Sequence, residues 1–262
     1  MNILDTIVAR KKEEVKSQNQ KIGRDDLQKT ALFSRETLSL RSFLADKERT
    51  GIIAEYKRRS PSKGIINDEV SVEEVTKAYA QHASGMSVLT DTDFFGGTTE
   101  DLVKARFNQV PILRKDFMID EYQIIEAKSI GADVILLIAA CLKPNQVKQF
   151  ASLAKQLGLE VLLEIHNEEE LEHICDEVDF VGVNNRNLKT FTVDINTSLQ
   201  LIHKIPTNKP AIAESGISDV NTIVTLRNAG FSGFLIGEHF MKEPNPMIAF
   251  ADFVEQLKTK LV

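Results

Sequence analysis

The sequence is poor in cysteine, with only Cys141 and Cys175 among its 262 residues. The two form no Cys-X-X-Cys pair and are too few for a disulfide framework, so we expect a reducing, cytoplasmic compartment. Spacing typical of metal ligands is also absent, and no metal site is predicted. We expect Cys141 to be an inert thiol, because no base partner is evident for it.

Long apolar runs are missing as well. The longest, residues 134–142, has only half of the about 18 residues that a membrane span needs. The amino terminus places Asp5 inside its apolar part and is strongly charged soon afterwards, unlike a secretory signal. A formal net charge of -6 gives no sign of the basic surface that binds nucleic acid. We therefore expect a soluble protein with no membrane or nucleic-acid partner.

Short runs rich in Val, Ile and Leu alternate with amphipathic stretches along the chain. Eight such runs are visible: GIIAEY, MSVLT, VPILRK, DVILLIAA, EVLLEI, FVGVN, PAIAE and GFLIG. The helical patterns between them include VEEVTKAYAQHA, DEYQIIEAKSIGA, PNQVKQFASLAKQLG, EEELEHIC, INTSLQLIHKI and SDVNTIVTLRNAG. Strands that are apolar on both faces and joined by helices form parallel sheets covered by helices. Eight of them favour a closed (β/α)8, or TIM, barrel of the α/β class.

An open, doubly wound sheet is the alternative architecture, but it would usually carry a glycine-rich nucleotide fingerprint after its first strand, and none is present. We predict one domain over residues 1–262, since such barrels commonly reach roughly 200 to 250 residues. Residues 1–48 are predicted to form a helical extension that packs on the barrel and covers one of its ends. Its charged run KKEEVK is expected to be a solvated helix face.

Polar residues gather at the carboxyl ends of the predicted strands, where barrel enzymes carry their active sites. Glu55 and Lys57 end the first strand, and the period of two places them on the same face. Further strands end at Lys115, Glu164, Asn184 and Glu214. For any one position, the simpler explanation is that polar residues begin where a strand ends, but the coincidence across five strands weakens it. Lysines and glutamates in one small volume perturb each other's proton affinity, which predicts acid–base catalysis.

A second signal follows the last two strands. Ser215-Gly216 and Gly237-Glu238 occur where barrels commonly bind phosphate through backbone amides. A single glycine is more often a turn residue, but the joint position after strands seven and eight favours a phosphate site. The first loop adds cationic and hydroxyl groups at Lys57, Arg59 and Ser60.

His166 lies close to Glu164 in the sequence and is a candidate base. From the alternation of side chains along the strand, we expect it to point away from the barrel mouth and to have a structural role. The protonation state of Lys115 is left open, because Lys57 would lower its pKa and Glu164 would raise it.

The chain contains seven motifs in a fixed order: GIIAEYKRRSPSKG, SVLTDTDFFGG, ILRKDF, LLEIH, GVNNRNL, AESGI and FLIGEHFM. Together they resemble indole-3-glycerol-phosphate synthase of tryptophan biosynthesis, over residues 51–241. EYKRRSPS and LRKDF are the most specific of them. The resemblance implies a carboxy-lyase that converts 1-(2-carboxyphenylamino)-1-deoxyribulose 5-phosphate into indole-3-glycerol phosphate, with loss of carbon dioxide and water and without a cofactor.

The resemblance also implies roles for individual residues. Lys115 would be the general acid that protonates the substrate ketone during ring closure, while Lys57 would pair with acidic groups of the substrate and assist dehydration. Glu164 and Glu55 would manage protons during decarboxylation and dehydration, with Asn184 orienting Glu55 or an intermediate. The binding positions are Ser60, Ser215, Gly216, Gly237 and the backbone of Glu238 for the phosphate, Arg186 for the ribulose chain, and Phe95, Phe117 and Leu136 for the aromatic ring.

The chain departs from the family pattern at GEHFM, where His239 and Phe240 stand in place of a small residue and a leucine. If backbone amides hold the phosphate, this change should matter little, because side chains there need not touch it.

Two other functions stay open. Another phosphate-sugar barrel enzyme, such as a phosphoribosylanthranilate isomerase, would share the phosphate site, but it needs a catalytic cysteine and aspartate pair and gives no reason for EYKRRSPS. A non-catalytic barrel that binds a phosphorylated metabolite predicts the loss of acid–base residues, yet the expected positions are filled. For the synthase we expect a monomer that acts on a phosphorylated small molecule.

Overall fold

The computed structural model describes residues 3–261, so the predicted domain's outermost residues, 1, 2 and 262, lie outside the described part. The described residues form ten strands: β1 (Ile52–Tyr56), β2 (Arg59–Ser60), β3 (Gly64–Ile65), β4 (Gly85–Leu89), β5 (Ile112–Lys115), β6 (Val134–Ile138), β7 (Glu160–Ile165), β8 (Phe180–Asn184), β9 (Ala211–Glu214) and β10 (Phe231–Ile236). Eight of them close into a parallel barrel in the order β1-β10-β9-β8-β7-β6-β5-β4, and β2 and β3 form a separate antiparallel pair. The predicted barrel is confirmed.

Helices cover the outside and the two ends of the barrel. They are α1 (Ile3–Lys21), α2 (Arg24–Leu27), α3 (Leu40–Ala45), α4 (Val72–Tyr79), α5 (Thr92–Phe95), α6 (Thr99–Ala105), α7 (Glu121–Ser129), α8 (Pro144–Gln156), α9 (Asn196–Leu201), α10 (Val220–Ala229), α11 (Glu238–Met241) and α12 (Pro246–Leu261). The predicted helix in EEELEHIC is instead a 3₁₀ segment, Glu169–His173, because the connection from β7 to β8 is too short for a full amphipathic helix. Across residues 3–261, none of the helices has both the length and the apolarity to span a bilayer.

Alternate residues of the barrel strands point inward and form an apolar interior. One buried cluster contains Ile53, Leu113, Val134, Leu136, Ile138, Leu162, Phe180, Ile212 and Leu235. Residues on the other face, such as Ile52, Ala54 and Ile135, pack outward against the helices. Because inward positions repeat every two residues, the positions that follow Ile53, Leu113, Leu162 and Ile212 are Glu55, Lys115, Glu164 and Glu214. The apolar interior therefore ends in four ionisable side chains at the carboxyl end of the barrel.

The segment before β1 covers the opposite, amino-terminal end with α3. Leu40 belongs to the interior cluster and lies against Gly85, where a Cβ would come within 2.7 Å of its Cδ1. The backbone N of Leu40 donates to Oε2 of Glu160 at 2.6 Å, and that of Leu38 donates to Oδ1 of Asp133 at 2.8 Å. These bonds tie the helix to the strand starts, so α3 closes this end.

The first helix, α1, lies at the carboxyl-terminal end and is held by a buried lysine. Lys11 is only 1% exposed. Its Nζ lies 3.0 Å from Oδ2 of Asp91, 2.9 Å from Oδ1 of Asp116 and 2.8 Å from Oε2 of Glu14. Asp91 follows β4 and Asp116 follows β5, so the extension reaches both ends of the barrel rather than one.

The prediction that KKEEVK is a solvated face is therefore wrong at its first residue. Helix positions four apart share a face, and Ile7, Lys11 and Val15 are the buried residues of α1. The exposed residues of the run are Lys12, Glu13 and Lys16. The ammonium group tolerates burial because three carboxylates surround it.

Candidate active site

Side chains from four of the barrel strands, with Lys57 from the loop after β1, meet above the apolar interior. Nζ of Lys57 lies 2.8 Å from Oε1 of Glu55, so the pair predicted on one face of the first strand is in contact. Nζ of Lys115 lies 3.2 Å from Oε2 of Glu164 and 3.7 Å from Oε2 of Glu214. The three glutamates are buried, and the two lysines are partly buried. The site thus brings together two cations and three carboxyl groups with little access to water.

Lys115 carries a proton at neutral pH. Burial alone would lower its pKa, but Glu164, Glu214 and Glu55 raise the pKa above the ordinary lysine value. The sequence left open whether Lys57 lowers this pKa more than Glu164 raises it. In the structure the charge of Lys57 is balanced by its contact with Glu55, so the effect of the glutamates is the larger one. A charged ammonium group can donate a proton to a developing oxyanion.

The carboxyl groups of Glu164 and Glu214 flank Lys115 and differ in charge. Burial raises the pKa of Glu214, and the neighbouring charge of Glu164 raises it further. Burial also acts to raise the pKa of Glu164, but Lys115, His166 and a hydrogen bond from Asn184 lower it below the ordinary value. Two interacting carboxyls share their protons as a pair. This pair holds its negative charge mainly on Glu164 and its proton mainly on Glu214.

Apolar side chains line one side of the cavity above Lys115. The three residues predicted to hold an aromatic ring, Phe95, Phe117 and Leu136, all line it. The ring centroids of Phe95 and Phe117 are 5.9 Å apart. The helix α1 adds Ile3, Leu4 and Ile7, which sequence reasoning did not assign to the site. Their helical periodicity was visible, but it does not say which part of the barrel the helix covers.

The residues predicted to bind the phosphate lie on the other side of the charged cluster. Ser215, Gly216, Gly237 and Glu238 line a cavity together with Glu55, Lys57 and Arg186, while Ser60 lines the adjoining cavity that contains Lys115. Ser215 has a φ of 66° and Gly216 a φ of 77°. A left-handed serine is uncommon, and such backbone strain is concentrated at functional sites.

Arg186 and Glu238 face each other across this cavity. Nη2 of Arg186 lies 3.3 Å from Oε2 of Glu238, and Nζ of Lys63 lies 3.7 Å from Oε1. The neighbouring Phe240 is buried and packs on the rings of Tyr79, Phe250 and Phe253, so its side chain belongs to the helix packing. His239 packs edge-on against Phe240 and Phe253, and it also lines the cavity.

His166 contacts the site, so the prediction that it points away from the mouth is wrong. Its Nε2 lies 3.2 Å from Oε1 of Glu164, and its Nδ1 lies 3.2 Å from Oε2 of Glu170. The physical reason is that residues two apart along an extended strand share a face. Burial raises the pKa of the nearby Cys141 to about 12, so this side chain stays a neutral thiol.

Sequence reasoning also missed two aspartates beside the site. Oδ1 of Asp91 accepts hydrogen bonds from the backbone N of Phe94 and Phe95 at 2.8 and 3.3 Å, while its Oδ2 contacts Lys11. Asp116 lies between Lys115 and Phe117 in the chain. Both aspartates stand in the motifs TDTDFF and LRKDF, but a partner on a distant helix leaves no local signal. In the described part of the chain, no group of three or more His, Cys, Asp or Glu is arranged to hold a metal ion.

The chain is similar to indole-3-glycerol phosphate synthases over nearly its whole length. A family model described as indole-3-glycerol phosphate synthase matches residues 4–253. The chain is 48% identical to the indole-3-glycerol phosphate synthase of Bacteroides thetaiotaomicron, over 98% of this chain and 99% of that protein. It is 42% identical to that of Salinibacter ruber, over 94% of this chain and 93% of that protein.

Among solved structures, the chain resembles tryptophan synthase from Pyrococcus furiosus. A chain of its α2β2 complex superposes with a TM-score of 0.62 at 16% identity, covering 81% of this chain and 99% of that chain. A mutant α-subunit from the same organism gives a TM-score of 0.62 at 17% identity, with the same coverage. At this identity the likeness shows the fold alone, which is the same barrel.

Proposed function

The chain belongs to the indole-3-glycerol phosphate synthase family, and we propose that the lysines and glutamates at its barrel mouth carry out that family's reaction. The protein is a carboxy-lyase of tryptophan biosynthesis. It closes the ring of 1-(2-carboxyphenylamino)-1-deoxyribulose 5-phosphate, a phosphorylated small molecule, and releases carbon dioxide and water to give indole-3-glycerol phosphate.

The substrate would lie across the charged cluster with its two ends in different surroundings. Its aromatic ring would pack between Phe95, Phe117 and Leu136, which line the apolar side of the cavity. Its phosphate would be held by Ser60, Ser215, Gly216, Gly237 and the backbone of Glu238, with Arg186 on the ribulose chain. This orientation is supported by the order of the two cavities, because it leaves the ketone between them, close to Lys115.

In the first step, the ring carbon that bears the carboxylate attacks the ketone carbon and forms the new carbon–carbon bond. The ketone oxygen gains an electron pair and takes the proton of Lys115, which is the general acid. The raised pKa of Lys115, which persists although burial alone would lower it, supports this role. Stabilising the oxyanion with a preplaced ammonium group is the largest contribution expected at this step.

In the second step, the bond to the carboxylate breaks, carbon dioxide leaves, and its electron pair restores the ring. The new hydroxyl group then leaves as water, and a carbon next to the nitrogen loses a proton. Lys57 would donate a proton to the leaving hydroxyl group. Glu55 and Glu164 would accept and donate protons during decarboxylation and dehydration. Glu214, which is mainly protonated, would keep the negative charge on Glu164. The hydrogen bond between Asn184 and Glu164 supports an orienting role for that amide.

The observation that carries this proposal is the contact of Lys115 with both Glu164 and Glu214 beneath an apolar cavity. The test is incubation of the purified protein with the carboxyphenylamino-deoxyribulose phosphate, with no cofactor added, while indole fluorescence is followed. Appearance of the indole product is expected. Phosphoribosylanthranilate serves as the second substrate, and its conversion without any indole formation would instead favour an isomerase.

We also propose that residues 1–262 form a single domain and that the protein is a cytoplasmic monomer. The hydrogen bonds from the segment before β1 to Glu160 and Asp133 support one domain. Light scattering of the purified protein tests the monomer, and a mass of twice 29.3 kDa would contradict it.

A further inference from the structure

The carboxylate of Glu164 is held between two basic side chains. Oε2 faces Nζ of Lys115 at 3.2 Å, on the substrate side, and Oε1 faces Nε2 of His166 at 3.2 Å, on the opposite side. The side chain of Glu164 is 3% exposed and that of His166 is 10% exposed. Each oxygen of this carboxylate therefore has its own partner, which leaves the group little freedom to rotate.

Glu170 fixes the histidine in turn. Its Oε2 accepts a hydrogen bond from the backbone N of His166 at 2.7 Å and lies 3.2 Å from the ring Nδ1. Its Oε1 accepts from Nδ2 of Asn167 at 3.3 Å. Glu170 is thus bonded to both the backbone and the ring of His166, so the imidazole is anchored at its outer nitrogen.

His166 and Glu170 line a third, polar cavity, which adjoins the active site. Lys189 lines it as well, and Asn184 and Arg186 line both this cavity and the one above Lys115. The other charged groups around the pair are Asp5 and Asp194, in the same cavity. Cys141 lies near Glu164 and Glu170 but stays neutral. The two glutamates are therefore the charged groups in direct contact with the imidazole.

We propose that His166, anchored by Glu170, is a positioning residue that holds the carboxylate of Glu164 ionised and turned towards Lys115 and the substrate. The inference rests on the proposed function, because Glu164 is assigned to proton transfer there. An oriented carboxylate needs no reorganisation when the proton moves, and a displacement of about 1 Å at a catalytic group can cost 10²-fold in rate.

The charges agree with this geometry. Burial would lower the pKa of His166, but contacts with Glu164 and Glu170 raise it to about 10, so the ring is a cation at neutral pH. Nε2 has no well-aligned hydrogen-bond partner among the described residues. The contact with Glu164 is therefore an ion pair, and the charge of the imidazole is what acts on the carboxylate.

The test compares His166→Gln, which keeps an N–H donor and removes the charge, with His166→Leu, which removes both. In both, kcat should fall by roughly 10- to 100-fold while KM stays close to the wild-type value. The acid limb of the kcat–pH profile should move to higher pH by about one unit or more, because a nearby cation no longer stabilises the charged form of Glu164. Unchanged kcat and an unmoved limb in folded protein would overturn the proposal. A loss of kcat without a moved limb would show a merely structural role and would overturn it as well.

A second variant, Glu170→Gln, tests the anchor without altering the histidine. Its kcat should match wild type at low pH, where its histidine is still charged, and fall below wild type at higher pH, because without Glu170 the pKa of His166 lies below the wild-type value of about 10. Glu169→Gln is the matched control, because Glu169 is exposed and should change nothing. Equal profiles for the two variants would contradict the anchoring role.

The titration of His166 followed by NMR gives a readout that does not depend on activity. The imidazole should stay protonated through neutrality in the wild-type protein and lose its proton at lower pH in Glu170→Gln. Titration of wild-type His166 near 6.5 would overturn the positioning role even if the protein proved to have another activity. Absence of indole product from the wild type, with the NMR result as expected, would overturn the proposed function instead.

Discussion

Nζ of Lys11 lies 2.9 Å from Oδ1 of Asp116, the residue that directly follows Lys115. The same ammonium lies 3.0 Å from Asp91, whose other oxygen accepts hydrogen bonds from the backbone of Phe94 and Phe95. One buried charge therefore joins α1 to the loops after β4 and β5. The proposed general acid, Lys115, is the last residue of β5, directly before one of these loops, and Phe95 and Phe117 of the apolar wall follow β4 and β5. The amino-terminal helix is therefore an integral part of the active site.

Lys11→Met should destabilise the protein by about 3–5 kcal/mol, because it leaves Asp91 and Asp116 buried without their cation. Urea unfolding measures the loss. Lys16→Met is the control, since Lys16 is exposed on the same helix and should have a free energy of unfolding close to wild type. Equal stability of the two variants would show that the buried ion pair does not hold the helix.

Acid should weaken the same contact. Burial alone would raise the pKa of Asp116, but Lys11 and Arg114 lower it from the ordinary 3.8 to about 2. A folded-state pKa below the unfolded value contributes stability above the unfolded pKa and loses it as pH falls through the folded one. The free energy of unfolding should therefore drop as pH falls from 3.8 towards 2. The drop should be smaller in Lys11→Met, and identical slopes in the two proteins would contradict this account.

Lys11 and Asp116 also show which part of the structure could not be predicted from the sequence. Local patterns predict the eight strands and the residues at their ends, which are Glu55, Lys115, Glu164 and Glu214. A strand that is buried on both faces, with side chains that alternate between the faces, can be recognised from residues that are neighbours in the chain. The contact of Lys11 with Asp116 joins a helix and a loop that are distant in the chain. A lysine within a charged run has the same local pattern whether it is exposed or buried.

Lys115→Met should reduce kcat by roughly 10²- to 10⁴-fold, the usual contribution of a positioned acid, while the substrate still binds. Product fluorescence gives the rate, and titration of the inactive variant with substrate gives the affinity. Lys148→Met removes an exposed lysine and is expected to behave as wild type. Near-wild-type turnover of Lys115→Met would rule out this lysine as the general acid.

Ser215→Asp should raise KM by roughly 10- to 100-fold, because a carboxylate would repel the substrate phosphate at close range. Ser215 has a φ of 66°, a conformation that asparagine and aspartate both tolerate. Ser215→Asn is therefore a neutral control of the same shape, and it should have a smaller effect. If the two variants have the same KM, the phosphate does not lie at this serine.

Part of the electrostatics of the site could not be predicted for a different reason. Glu55 and Lys57 were paired from their spacing alone, but the raised pKa of Glu214 depends on its burial and on its distance from Glu164 across the barrel. That distance is set by how the strands are staggered in the closed sheet. The sequence names the carboxyl groups, and the barrel geometry decides which of them keeps its proton.

Gly182→Ala should disturb this pair without changing any charged residue. Gly182 lies in β8 beside Glu214, and an added Cβ would overlap Oε1 of that carboxyl group. Either the carboxyl group of Glu214 turns away, so that Lys115 loses one of its partners, or the backbone of β8 shifts. Because both changes disturb the contact of Lys115 with Glu214, kcat should fall. Overpacking of a buried site also costs about 1–3 kcal/mol of stability. Gly23→Ala is the matched control, since its nearest neighbouring atom would be 3.8 Å away. Kinetics and urea unfolding on both variants decide the point: full activity in Gly182→Ala would mean that the position of Glu214 is not needed for the reaction.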